Sequence, residues 1–107
     1  MPFILIYVTH PSKPEANRLT AELLNEHLIG CANFFPIESV YWWEWALTRT
    51  EEITTIYKTR SENWEAVKVY IEAHHKYDIP CIIRMAEVEA NTSYENWIES
   101  QTKNQNK

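Results

Sequence analysis

Apolar and polar positions along the chain fall into short blocks whose period changes from one block to the next. Phe3 to Thr9 is apolar, β-branched and aromatic and is closed by His10-Pro11, which predicts a strand. From Ser12 the period becomes helical: Ala16, Leu19, Leu23, Leu24 and Leu28 share one face, and Ser12 with Glu15 forms a capping box at the start. Gly30 is placed to stop this helix in the left-handed conformation. Cys31 to Thr48 has no helical period, and Val40 to Trp45 is β-branched and aromatic. The segment predicts an extended strand interrupted near Pro36, with Ile53 to Arg60 as its antiparallel partner. Ser61 caps a second helix with Trp64, Val67 and Ile71 on its core face. Its last turn holds His74, His75 and Lys76, where cations meet the negative end of the helix dipole. After Pro80, Ile82 to Val88 predicts a fourth strand. Thr92 and Glu95 form another capping box, opening a short helix that turns Tyr94, Trp97 and Ile98 toward the body.

The order β-α-β-β-α-β followed by a helix predicts an α+β protein, a ferredoxin-like βαββαβ sandwich with a C-terminal helix. Two long helices cover one face of such a sheet, so the other face should be polar. Here Phe3, Leu5 and Tyr7 point one way and Ile4, Ile6 and Val8 the other, and both sets are apolar. Something else must cover the second face. The hairpin repeats this: Tyr41, Trp43 and Trp45 lie on one side, Val40 and Trp42 on the other. Fully extended, Cys31 to Thr48 would span about 55 to 60 Å at ~3.3 Å per residue, about twice a domain with a radius of gyration near 13 Å. The hairpin must bend at Pro36 or project onto a neighbour. Self-association through the sheet face and through Tyr41, Trp42, Trp43 and Trp45 is therefore expected.

Composition narrows the function. The 107 residues make one domain, with the polar tail Thr102 to Lys107 expected to be disordered. A net charge of -5 with no basic cluster argues against nucleic acid as a partner. The longest apolar run, Phe3 to Val8, falls far short of the roughly 20 residues that span a membrane. The amino terminus lacks the charged start and cleavage site of a signal peptide, so a soluble, cytoplasmic protein is expected. Two cysteines, Cys31 and Cys81, are too few for a disulfide scaffold. A single glycine, Gly30, removes every glycine-dependent phosphate loop, and no organic cofactor is expected. No residue pair reads as a nucleophile with its base, so a non-enzymatic role is expected.

Several segments together carry a family resemblance. Tyr7-Val8-Thr9-His10-Pro11 ends the first strand, Cys31-Ala32-Asn33 follows the first helix, and Tyr41-Trp42-Trp43-Glu44 lies in the hairpin. Lys58-Thr59-Arg60, His75-Lys76-Tyr77-Asp78-Ile79-Pro80, and Tyr94 with Trp97 complete the set, over residues 3 to 98. In order and spacing the chain resembles the CutA family, the divalent-cation tolerance proteins. The resemblance implies a ferredoxin-like subunit in a tight homotrimer whose hairpins reach adjacent subunits, similar in architecture to the PII signalling proteins, whose clefts bind small effectors. It also implies copper binding through the histidine pair ending the second helix, here His74 and His75. The chain departs from the family pattern at Trp45, where a glycine is usual, at Cys81, where an acid is usual, around Ala90, where the loop glycine is replaced, and at Val8, in place of a cysteine used by family copper sites.

Three candidate chemistries follow. Adjacent histidines on a helix point about 100° apart, so His74 and His75 ligate one metal only if the helix end unwinds; otherwise they complement the dipole. Cys81 adds a donor suited to copper or another soft divalent cation, with His10 across the sheet edge as a further one. Lys58 and Arg60 share a strand face, and Tyr77 and Asp78 approach the same edge, which would make a pocket for an anion or carboxylate at a subunit boundary, or an intersubunit salt bridge with Glu44 or Asp78. The leading expectation is a non-enzymatic trimer that binds a metal ion or small molecule in intersubunit clefts. A scaffold holding partner proteins is the alternative, and an enzyme using His75 or Asp78 as base a third.

Overall fold

The computed structural model of the chain describes residues 3–103. Its elements are β1 (Phe3–His10), α1 (Lys13–Asn25), β2 (Cys31–Trp43), β3 (Ala46–Arg60), a 3-10 turn (Ser61–Asn63), α2 (Trp64–His74), β4 (Ile82–Met85) and α3 (Thr92–Gln101). The four strands form one antiparallel sheet in the order β2-β3-β1-β4. This is the expected βαββαβ arrangement with a terminal helix. Among the described residues no helix is long and apolar enough to cross a membrane.

The helix ends show where local chemistry departs from expectation. At the start of α1 the Ser12 hydroxyl accepts the Glu15 N–H at 3.4 Å, while the Glu15 carboxylate turns to Arg18 rather than completing the box. The helix does not run to Gly30. It closes in a Schellman motif, with His27 N–H bonded to the Leu24 carbonyl and Leu28 N–H to that of Leu23. The left-handed residue is His27, at φ 57°, and Gly30 has no positive φ. Gly30 instead packs against Ile98, whose Cδ1 would lie 2.9 Å from a Cβ at that position and would have to shift. Leu24 consequently leaves the core face and is exposed, while Leu28 is buried from the loop. Ser61 opens the 3-10 turn rather than capping α2, whose N-cap is Asn63. His75 is the extended C-cap of α2, so Lys76 lies beyond the helix. Thr92 does not cap α3; Asn91 does, and Glu95 reaches back to the Ala90 N–H at 3.0 Å.

Ile4, Ile6 and Val8 pack under Leu19 and Leu23 of α1 and Val67 and Ile71 of α2 to form the core. Tyr57, fully buried among them, shares a 2.9 Å hydrogen bond with Thr20. The register puts Leu5, Tyr7, Ile56 and Ile83 on the opposite face, which is apolar as expected and only half covered. Part of that cover is α3, whose Tyr94 meets the Phe3 ring edge-on.

Pro36 does not interrupt β2. It pairs opposite Ile53 in an unbroken ladder from Cys31 to Trp43, and β2 is an edge strand, where proline is tolerated. Thirteen residues at ~3.3 Å each reach about 43 Å, and the molecule is accordingly 45 × 25 × 21 Å. The β2–β3 arm therefore projects beyond the helices. Its tip turns on Glu44 and Trp45, at φ 50° and 66°, the left-handed pair of a two-residue hairpin turn. The expectation of a disordered tail fails at its first residues: Thr102 is buried and accepts a hydrogen bond from Arg60 at 3.0 Å, and Lys103 N–H donates to the His27 carbonyl. Residues 104–107 lie outside the described residues.

Candidate functional site

Where the arm leaves the body, its open side and the loop of residues 75–81 enclose a cleft of about 650 Å3. Thr9 of β1, Tyr41 and Trp43 of β2, Glu52 of β3, and Tyr77, Asp78 and Cys81 of the loop line it. Period two delivers the strand residues: Thr9 pairs with Thr54, so Glu52, two residues along, shares that face.

The floor of the cleft is polar and ordered. Glu52 is only 7% exposed, and its carboxylate accepts a 2.6 Å hydrogen bond from the Tyr77 hydroxyl. Burial, and then this bond to Glu52, push the Tyr77 hydroxyl well above the usual phenol range, so it stays a neutral donor. Burial also raises the Cys81 thiol, with the Glu52 charge adding to it and a hydrogen bond to Thr9 opposing it. Cys81 is therefore a thiol rather than a thiolate at neutral pH.

His75 anchors the loop. A backbone carbonyl only accepts and an amide only donates, so Nε2 gives its proton to the Thr9 carbonyl at 2.8 Å while Nδ1 accepts from the Tyr77 N–H at 3.0 Å. The neutral imidazole satisfies both partners, and burial lowers its basicity. His10 stacks on it with ring centroids 5.4 Å apart and shares a 2.9 Å hydrogen bond with the Thr55 hydroxyl. Burial, then the neighbouring His75, push His10 down to about 4.

The candidate metal ligands are not brought together. His74 points back along α2, stacked on Tyr70 at 4.1 Å with Nδ1 against the Tyr70 carbonyl. His75 turns toward β1, where both ring nitrogens are engaged. Among the described residues no group of three or more His, Cys, Asp or Glu side chains could hold a metal ion. The extended backbone at His75, where the helix stops, is what divides the pair.

Lys58 and Arg60 are likewise separated from Tyr77 and Asp78. Lys58 lies six positions along β3 from Glu52, about 20 Å at ~3.3 Å per residue. There its ammonium sits 5.4 Å from the Tyr94 ring centre, while Arg60 donates to the Glu99 carbonyl at 2.6 Å and ties down α3. Tyr77 and Asp78 instead share the cleft with Cys81, Tyr41 and Trp43. Trp42 and Trp45 stand outside it, 71% and 98% exposed. Sequence reading missed Glu52. The strand expected from Ile53 starts one residue too late to include it; extending the period of Thr54 and Ile56 back by one step places Glu52 on the open face.

Residues 4–101 match the family model described as CutA1 divalent ion tolerance protein. The chain is 38% identical to the divalent-cation tolerance protein CutA of Pyrococcus horikoshii, over 94% of this chain and 98% of that one. It is 36% identical to Protein CutA 1, chloroplastic, of Oryza sativa subsp. japonica, over 96% of this chain and 59% of that one. The crystal structure of CutA1 from Oryza sativa superposes with a TM-score of 0.92 at 36% identity, covering 96% and 95% of the two chains. That of CutA1 from Pyrococcus horikoshii gives 0.91 at 37% identity, covering 94% and 98%. These relatives correct the expectation of a cytoplasmic location. The rice and Arabidopsis thaliana proteins are named chloroplastic, and the Archaeoglobus fulgidus structure is described as a periplasmic protein. The features that fold this domain do not fix its compartment. From residue 4 to residue 101, the chain belongs to the CutA family of divalent-cation tolerance proteins.

Proposed function

We propose that the protein is a homotrimer that contributes to divalent-cation tolerance without catalysis, binding a small effector or a divalent cation such as copper in clefts at its subunit boundaries. The observation that carries this reading is the buried Glu52 carboxylate, held by Tyr77 on the floor of a cleft of about 650 Å3. That volume is typical of a small-molecule site. One wall of the cleft is the arm, whose tryptophans are open to solvent within a single subunit. An apolar surface of this kind supports burial against other copies, and membership of the CutA family supports three as their number. Glu44 and Trp45 at the arm's tip then reach onto a neighbour, and the open sheet face lies inside the assembly.

A divalent cation is the second occupant, favoured by one observation: Cys81 lines the same cleft as Glu52. A thiol with carboxylates selects copper, then zinc, over magnesium. Calorimetric titration of the three metals into wild type, Cys81→Ser and Glu52→Gln tests this. Copper is expected to bind tightest and to weaken by roughly tenfold, about 1.4 kcal/mol, in each variant. Its affinity should fall with pH, since the thiol must lose its proton to ligate. Magnesium binding as tightly as copper, or copper binding unchanged in both variants, would reject the metal at this cleft.

A further inference from the structure

We propose that the ligand this cleft is built for is a small organic ammonium ion; the inference rests on the cleft being a ligand site and names the class of ligand. Glu52 is a charged side chain more than nine-tenths buried. Tyr77 gives it a hydrogen bond but no charge, and none of the salt bridges among the described residues reaches it. A carboxylate taken out of water without a counter-ion is costly. A cationic ligand supplies that counter-ion.

The walls decide what kind of cation. Tyr41, Trp43 and Tyr77 line the cavity, and aromatic side chains attract ammonium groups that retain an apolar surface. The lining also carries Asp78 and one ammonium, Lys76. Two carboxylates against one ammonium make the lining that this chain contributes negative, which disfavours a carboxylate or phosphate ligand. Its volume of about 650 Å3 is far more than a single ion fills, and the described residues offer no converging set of three ligating side chains. A ligand with several carbon atoms around a positive nitrogen uses all of these features together.

Choline, its uncharged isostere 3,3-dimethyl-1-butanol, and glutarate are the probes, each titrated calorimetrically into the full chain. Choline is expected to bind saturably and roughly tenfold or more tighter than the neutral alcohol. Glu52→Gln keeps an acceptor for Tyr77 while removing the charge, and should weaken choline roughly tenfold without moving the affinity of the alcohol. The comparison of the two isosteres on wild type stands even if that variant fails to fold. Equal binding of choline and the alcohol would overturn the inference, leaving an apolar cleft with no use for the charge. Binding of glutarate without choline would overturn the ligand class while the cleft remains a binding site. Binding of none of the three would overturn both the inference and the reading of the cleft on which it rests.

Discussion

Trp43→Ala is expected to lower stability by about 3 to 5 kcal/mol, the cost of truncating a large aromatic side chain that the proposed trimer buries. Within one subunit Trp43 is 45% exposed, so the isolated fold supplies only part of that burial. In the proposed trimer the rest would come from neighbouring copies laid against the arm. This origin has a second consequence. The variant's melting temperature should depend on protein concentration, because loss of interface area makes dissociation part of unfolding. Thermal unfolding of wild type and variant across a hundredfold range of concentration measures both effects. A variant that melts and assembles like wild type would show that the arm is not an interface.

Acid is expected to destabilise the protein through His10, by on the order of 3 kcal/mol between neutral pH and pH 4. His10 is 1% exposed, and burial, then His75, hold it near 4 against an ordinary value of 6.5. The folded protein therefore keeps His10 neutral while the unfolded chain protonates it. Stability contributed by the neutral form is complete above about pH 6.5, is lost as pH falls toward 4, and changes little further below. His75, lowered in the same direction, adds to this loss. Its protonation would also end the hydrogen bond that Nδ1 accepts from Tyr77, freeing the loop that closes the cleft. Denaturant midpoints measured across this range in wild type and His10→Gln give the slope. A wild-type stability that stays level from pH 6.5 to 4 would refute the assignment.

Much of the fold is legible because period and burial are the same fact seen twice. Ile4, Ile6 and Val8 alternate with Phe3, Leu5 and Tyr7, and the sheet puts the first set under the helices and the second on the open face. What could not be read turns on where the chain changes direction. Gly30 looks like a helix stop from its conformational freedom alone, yet the stop is His27, and Gly30 lies against Ile98, nearly seventy residues away. Pro36 looks like a break until β2 is known to be an edge strand.

The candidate site divides along the same line. Tyr77, Asp78 and Cys81 are close in sequence and meet in the cleft. His74 and His75 are closer still and part, because the helix ends between them. Lys58 and Arg60 match Tyr77 and Asp78 in chemistry but sit at the other end of β3, where Arg60 fastens α3. The period of Thr54 and Ile56 puts Glu52 on the open face, but its partner Tyr77, 25 residues later, is visible only in the fold.

The most direct test of the central claim, that two further copies close the open sheet face and the arm, is the mass of the protein in solution. Light scattering at micromolar concentration should report about three times the chain mass of 12.7 kDa. A stable species of one chain mass would leave the tryptophans of the arm in water and contradict the account.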